Sequence, residues 1–226
     1  MHLPHRPSSA SARVHPRPAF SAASGLARLL LGMWAVGALG LSPGRATSVI
    51  APSFSELVSR AETVIHGTVT DVRSDWADQG GHRVIKSWVS IQLEEPLKGN
   101  PTSASLTLEF LGGRVDGAEM TVQGSPRFAS GDEVVVFING NGRDACPLVG
   151  WGHGAYRVLP SAVTGEKQIR RINGLPLQSA ADVELPLTTL SARHPAFQSL
   201  ASVPGMSLAA FKNAIRQKRD ENLHVQ

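Results

Sequence analysis

The side chains able to do chemistry are scattered along this chain. Beyond residue 46, histidines stand at 66, 82, 153, 194 and 224, no two of them at i, i+2 or i, i+4, and there is no H-E-x-x-H run. Zinc ligands that can be read from sequence come at such short spacings. A metal site here would have to assemble from distant strands, and no cofactor is called for. His66 reads as an outward-facing strand residue. The single cysteine, Cys146, rules out an intrachain disulfide and any multi-cysteine metal site. It precedes Pro147 at a strand start and reads as a small buried residue. There is no G-x-S-x-G elbow for a serine nucleophile. Gly112-Gly113 and Gly140-Asn141-Gly142 read as hairpin turns, because neither leads into a helix that opens on Lys-Ser or Lys-Thr. Paired carboxylates can serve acid/base catalysis, but Asp71/Asp75 and Asp132-Glu133 fall at strand ends, where acids are solvated.

Binding chemistry is better represented. The segment Val149 to Tyr156 interleaves three glycines with Trp151, His153 and Tyr156. Trp and Tyr are enriched at interface hot spots, and loops on a rigid scaffold carry function. These three residues, with Trp88 and Arg127 as secondary candidates, make up the expected binding surface. The competing reading packs Trp151 and Tyr156 in the core while the glycines permit a bulge. An enzyme needs titratable groups brought together in a pocket. His66 or His153 within hydrogen-bond distance of an Asp or Glu in a closed cleft would therefore point toward catalysis.

The elements that must position these residues alternate with period 2. Before them, Ser53-Phe54-Ser55-Glu56 has the capping-box form, and Phe54, Leu57, Val58 and Ala61 share a helical face, which predicts a short helix over 53–61. From Glu62, Ile65, Gly67 and Val69 point one way. Val72 is out of phase, which predicts a bulge near Thr70–Asp71, and Gly67 marks a close backbone approach. A long second strand carries Val89, Ile91 and Leu93 on one face. Others follow at Leu106–Phe110, Met120–Val122, Val134–Ile138, about 146–159 and about 166–173. Core positions should include Ile65, Val69, Val89, Ile91, Leu93, Leu106, Leu108, Val134 and Val136. About six to seven short strands with turn signals between them predict an all-β fold, a small OB-like barrel spanning 47–174 with its N-terminal helix. Residues 175–206 lose the period and read as linker. Leu208, Phe211, Ala214 and Ile215 form the apolar face of a C-terminal helix at 207–219.

The 226 residues are 42% apolar, enough for a packed core. The formal charge of +4 belongs to the leader: residues 1–46 hold five arginines and no acid, while the rest hold 17 basic and 18 acidic side chains. A neutral body lacks the basic face that nucleic-acid binding requires. The uncharged run Leu29–Leu41, 13 residues long, falls short of the roughly 20 a spanning helix needs. Small residues at Gly44 and Ala46 complete a signal-peptide pattern with cleavage after Ala46. The expectation is export to the periplasm or medium, with no transmembrane segment in the mature chain.

Several segments resemble, in order, a family of exported bacterial proteins with no established activity. They are Glu56-Leu57-Val58, Val64-Ile65-His66-Gly67-Thr68-Val69, Leu93-Glu94-Glu95-Pro96-Leu97-Lys98-Gly99, Val122 to Phe128, Gly131 to Phe137, and Gly154-Ala155-Tyr156-Arg157-Val158. The strand pattern is similar to the OB-like barrel of netrin-like domains, as in tissue inhibitors of metalloproteinases. Those inhibitors bind the protease zinc through a mature N-terminal cysteine. Here the expected mature start is Thr47 with no cysteine near it, so the resemblance carries the fold and not that mechanism. The reading is an exported, non-enzymatic binding module whose partner is a protein or small molecule of the cell envelope. The alternatives are inhibition of an exported metalloprotease by a cysteine-free route, and an exported hydrolase.

Overall fold

A computed structural model describes residues 50–161, 164–187 and 193–224; the leader and the expected cut after Ala46 lie outside the described residues. Helix α1 (Phe54–Arg60) starts as its capping box dictates: Glu56 N–H donates to Ser53 Oγ at 3.2 Å, and Ser53 N–H donates to Glu56 Oε2 at 2.8 Å. At its other end Lys98 Nζ donates to the carbonyls of Val58, Ser59 and Ala61, tying the helix C-terminus to the sheet.

Strands β1 (Thr63–Gln79) and β2 (His82–Lys98) form a 17-residue hairpin pair closed by Gly80-Gly81, both at positive φ as a two-residue turn requires. The predicted bulge is present: the register shifts between Val69 and Asp71. Next come β3 (Ser105–Leu111), the small β4 (Gly113–Val115) and β5 (Ala118–Met120) hairpin, β6 (Glu133–Ile138), β7 (Ala155–Pro160) and β8 (Lys167–Arg171). Six strands form one antiparallel sheet in the order β3-β2-β1-β6-β7-β8, and β4-β5 is a separate ribbon.

The all-β class with a helix at either end is as the sequence predicts. Closure into a barrel is not: β3 and β8 stay at opposite edges of the sheet. Loops occupy both edges instead. Asn141 accepts from Glu109 N–H and donates to the Thr107 carbonyl, and Ala145 accepts from Leu111 N–H, all on β3. On β8, Ile169 N–H donates to Met206 O and Ile169 O accepts from Leu177 N–H, while Arg171 N–H donates to Leu175 O. Backbone groups satisfied in this way partly cover the two outer strands against further pairing. The expected linker at 175–206 is thus partly structural. It buries Leu175, Leu177 and Val183, forms a 3-10 turn at Ala180–Glu184 and a short helix α2 (Pro195–Ala201), and leads into α3 (Leu208–His224).

Both faces of the sheet are buried. One carries all nine predicted core positions: Ile65, Val69, Val89, Ile91, Leu108, Val134 and Val136 are buried, and Leu93 and Leu106 pack partly buried beside them. The other face is covered by α1 and α3, with Phe54, Leu57, Val64, Val135, Phe137, Tyr156, Ile169, Leu208, Phe211 and Ile215 in one cluster. On its polar flank α3 is clamped by Glu95, which accepts from Lys212 Nζ at 2.8 Å and pairs with Arg216.

Candidate functional site

The sequence-predicted binding residues fall in three places. Tyr156, 2% exposed, is a core residue, edge-on to Phe211 and Phe137 at 5.1 and 5.9 Å between ring centroids. His153, 6% exposed, has Nδ1 3.2 Å from the Val183 carbonyl. Trp151 sits in the left-handed region (φ 59°), opens a 3-10 turn at Trp151–Gly154 and packs, half-buried, against the core face opposite α3. Residues 183–187 cover this turn, held there by the buried Arg171, which donates to the Leu185 and Pro186 carbonyls. The segment 149–156 is therefore mostly interior. Trp88 lies half-buried on the long hairpin with the Arg73 guanidinium 5.0 Å over its ring. Arg127 lies on the wall of a cavity.

Burial fixes the chemistry of two of the buried groups. Desolvation pushes the Cys146 thiol up to about 11, so it is inert at neutral pH. Burial likewise lowers the His153 pKa, with the Val183 hydrogen bond opposing the shift. The unfolded chain, with an ordinary histidine near 6.5, then takes up a proton more readily than the folded one. Stability from this group is complete above pH 6.5 and declines as the pH falls through the folded pKa. Urea unfolding at pH 7.5 and 5.5 is expected to show a loss for the native chain that is smaller in His153→Asn. An unchanged pH difference in the variant would contradict the buried neutral imidazole.

The cavity, about 220 Å³, lies between the outer half of the β1-β2 hairpin, the end of β3, the β4-β5 ribbon and the segment 121–128. Its wall is largely apolar: Val72, Val89, Phe110, Met120, Val122 and Phe128 line it, with Phe110 and Phe128 5.7 Å apart. At its base Ser87 Oγ donates to the Gly112 carbonyl at 2.6 Å and lies 2.8 Å from Ser74 Oγ. A Cβ on Gly113 would fall 2.4 Å from Ser87 Oγ and 2.5 Å from Ser74 Oγ, so glycine is what lets the backbone pass this close to the two hydroxyls. Three charged residues line the cavity. Glu119 receives Arg114 at 2.6 Å and Arg127 at 2.7 Å. The hydrogen bonds from Arg114 and then Arg127 pull the Glu119 carboxyl down to about 2. One carboxylate between two guanidiniums leaves a net positive rim. Arg127 is further pinned through its carbonyl, which accepts from Arg157 at 2.9 Å. No lining residue is a histidine, cysteine or lysine, and the one lining carboxylate, Glu119, is engaged by the two arginines.

A second group of polar residues lies on the helix-covered face, away from the cavity. His66, 3% exposed, places Nε2 2.7 Å from Glu133 Oε1 and Nδ1 3.5 Å from Glu94 Oε2. Lys167 Nζ is 2.9 Å from Glu133, and Thr68 Oγ1 donates to Glu94 Oε1 at 2.7 Å. Burial pushes the Glu133 carboxyl up, and the hydrogen bonds from Lys167 and His66 outweigh that, leaving it below the ordinary value. His66, Glu94 and Glu133 are the described residues whose donor atoms come close enough together to hold a metal. Sequence reasoning missed the group. His66 is buried rather than outward-facing, and Glu133 is 67 positions away. The local signal that existed was Glu133 at the start of the strand that pairs with β1.

Among the described residues no helix is long and apolar enough to span a membrane. No protein-family model matches the chain, and no curated protein matches it.

Proposed function

We propose that this chain is an exported, non-enzymatic binding module and that the cavity beside Arg127 takes a small amphipathic anion. The observation carrying the reading is the pairing of an apolar cavity of about 220 Å³ with two arginines that share one carboxylate. An apolar tail satisfies the wall, and an anionic head takes the guanidinium donors that Glu119 leaves over. The leader pattern supports export, for which an N-terminal sequence starting at Thr47 is the expected check.

Octanoate, with ten heavy atoms, is a suitable probe. Titration calorimetry is expected to give one site with a Kd of roughly 0.1 mM, a reasonable yield for so small a ligand. Octan-1-ol, with the same tail and no charge, is expected to bind about fivefold more weakly, since an exposed charge pair is worth about 1 kcal/mol. The Arg114→Gln/Arg127→Gln chain should lower octanoate to the alcohol's level. Equal binding of acid and alcohol, or no saturable binding of either, would overturn the reading.

A further inference from the structure

The group around His66 is not explained by packing. A carboxylate can only accept, so the 2.7 Å contact with Glu133 places a proton on Nε2. Nδ1 is buried, has no hydrogen-bond partner, and faces Glu94 Oε2 at 3.5 Å. A buried nitrogen left unpartnered opposite a carboxylate oxygen calls for a centre between them that binds both. We propose that His66 Nδ1 and Glu94 Oε2 are two ligands of a divalent cation of the zinc type, with Glu133 orienting the imidazole.

Four features carry the assignment. Ligand atoms at 2.0–2.1 Å from a tetrahedral zinc stand about 3.4 Å apart, close to the observed separation. A ligating histidine characteristically donates its other N–H to a carboxylate, which fixes the tautomer and the ring orientation; Glu133 occupies that position. Glu94 is fixed through its other oxygen by Thr68, so Oε2 is the one presented to the ring. The two carboxylates and Lys167 sum to a net charge of −1, which favours a cation. Imidazole with carboxylate suits zinc and its neighbours rather than calcium or magnesium. The half-exposed Glu94 side chain opens the site to solvent, and waters complete the coordination.

The test is a ZnCl2 titration of the metal-free exported protein, followed on the histidine ring nitrogens by long-range 1H–15N NMR. The expected result is a saturable one-to-one change at His66 Nδ1. Glu94→Gln, a change at a half-exposed position that leaves the fold intact, should abolish it. Glu133→Gln should weaken it by about 10–100-fold, as loss of a partner behind a ligand does. Zinc that moves only the resonances of other histidines would overturn the proposal. So would a His66 response that survives Glu94→Gln. The cavity is remote from these residues, so octanoate binding should be the same with and without zinc.

Discussion

A Gly67→Ala chain is expected to be destabilised by about 3 kcal/mol or more, the upper end for a small-to-large change. The reason is backbone against backbone. A Cβ at this position falls 2.3 Å from the Gln92 carbonyl oxygen and 2.9 Å from Ile91 Cγ2. Neither the oxygen nor the buried isoleucine is a flexible end that can swing away. The register of β1 against β2 also shifts between His66 and Gly67, beside the position where the side chain is missing. Relief would require β2 to move off β1, and with it Ile91 and Leu93 out of the core. Urea unfolding is the measurement. Gly142→Ala is the control: its added Cβ meets nothing within 4 Å, and its cost is limited to that of a positive φ of 75°. Equal stability of the two variants would show that the strands are not this close.

Phe211→Ala should cost about 3–5 kcal/mol, the range for removing a fully buried aromatic. Phe211 is 0% exposed and joins three elements, with Phe54 of α1 at 6.0 Å, Phe137 of β6 at 6.2 Å and Tyr156 of β7 at 5.1 Å. Leu208 and Ile215 are the other buried residues of α3, and they flank it on the same face. Truncation leaves a void between two helices and the sheet that the rigid strands cannot close. The ion pairs of Glu95 with Lys212 and Arg216 are half-exposed and offset little of the loss. Leu223→Ala, at an exposed position near the end of the same helix, should be close to neutral. Limited proteolysis should find α3 cut early in the Phe211 variant and protected in the other.

Local signals in the chain were reliable. Ser53 and Glu56 form both bonds of the capping box, and Ser207 Oγ accepts from Ala210 N–H at 3.2 Å at the start of α3. The bulge at Thr70 and the close approach at Gly67 are both as period and composition predict. Nine core positions read from alternation fall in one cluster. What alternation cannot show is that a strand is buried on both faces. His66 reads as outward, yet it is buried, on the face whose Val64, Val135 and Phe137 are packed under α1 and α3, the latter more than 70 residues downstream. The open sheet edges were hidden for a similar reason. The segments that occupy them, 141–145, 175–177 and 206, hydrogen-bond through backbone and one asparagine and carry no period of their own.

The site residues follow the same division. Trp and Tyr are favoured both at interfaces and in cores, so their presence in 149–156 does not separate the two, and the structure puts Tyr156 and His153 inside. Arg127 was marked by type alone. Its partners Glu119 and Arg114 and the apolar wall come from five separate stretches between 72 and 128, whose convergence depends on how the β4-β5 ribbon folds over the hairpin. His66, Glu94 and Glu133 stand on three strands and meet because β1 lies between β2 and β6.

The central claim is that the cavity receives an amphipathic anion, and the most direct measurement is where octanoate sits. Intermolecular NOEs from a protonated octanoate to the labelled protein report this in solution. The account predicts contacts from the terminal methyl to Phe110, Phe128 and Val89, and shifts of the Arg114 and Arg127 side-chain N–H groups by the carboxylate. Contacts confined to the Trp88 face or to the Trp151 segment, with the Phe110 and Phe128 rings unaffected at saturation, would contradict it.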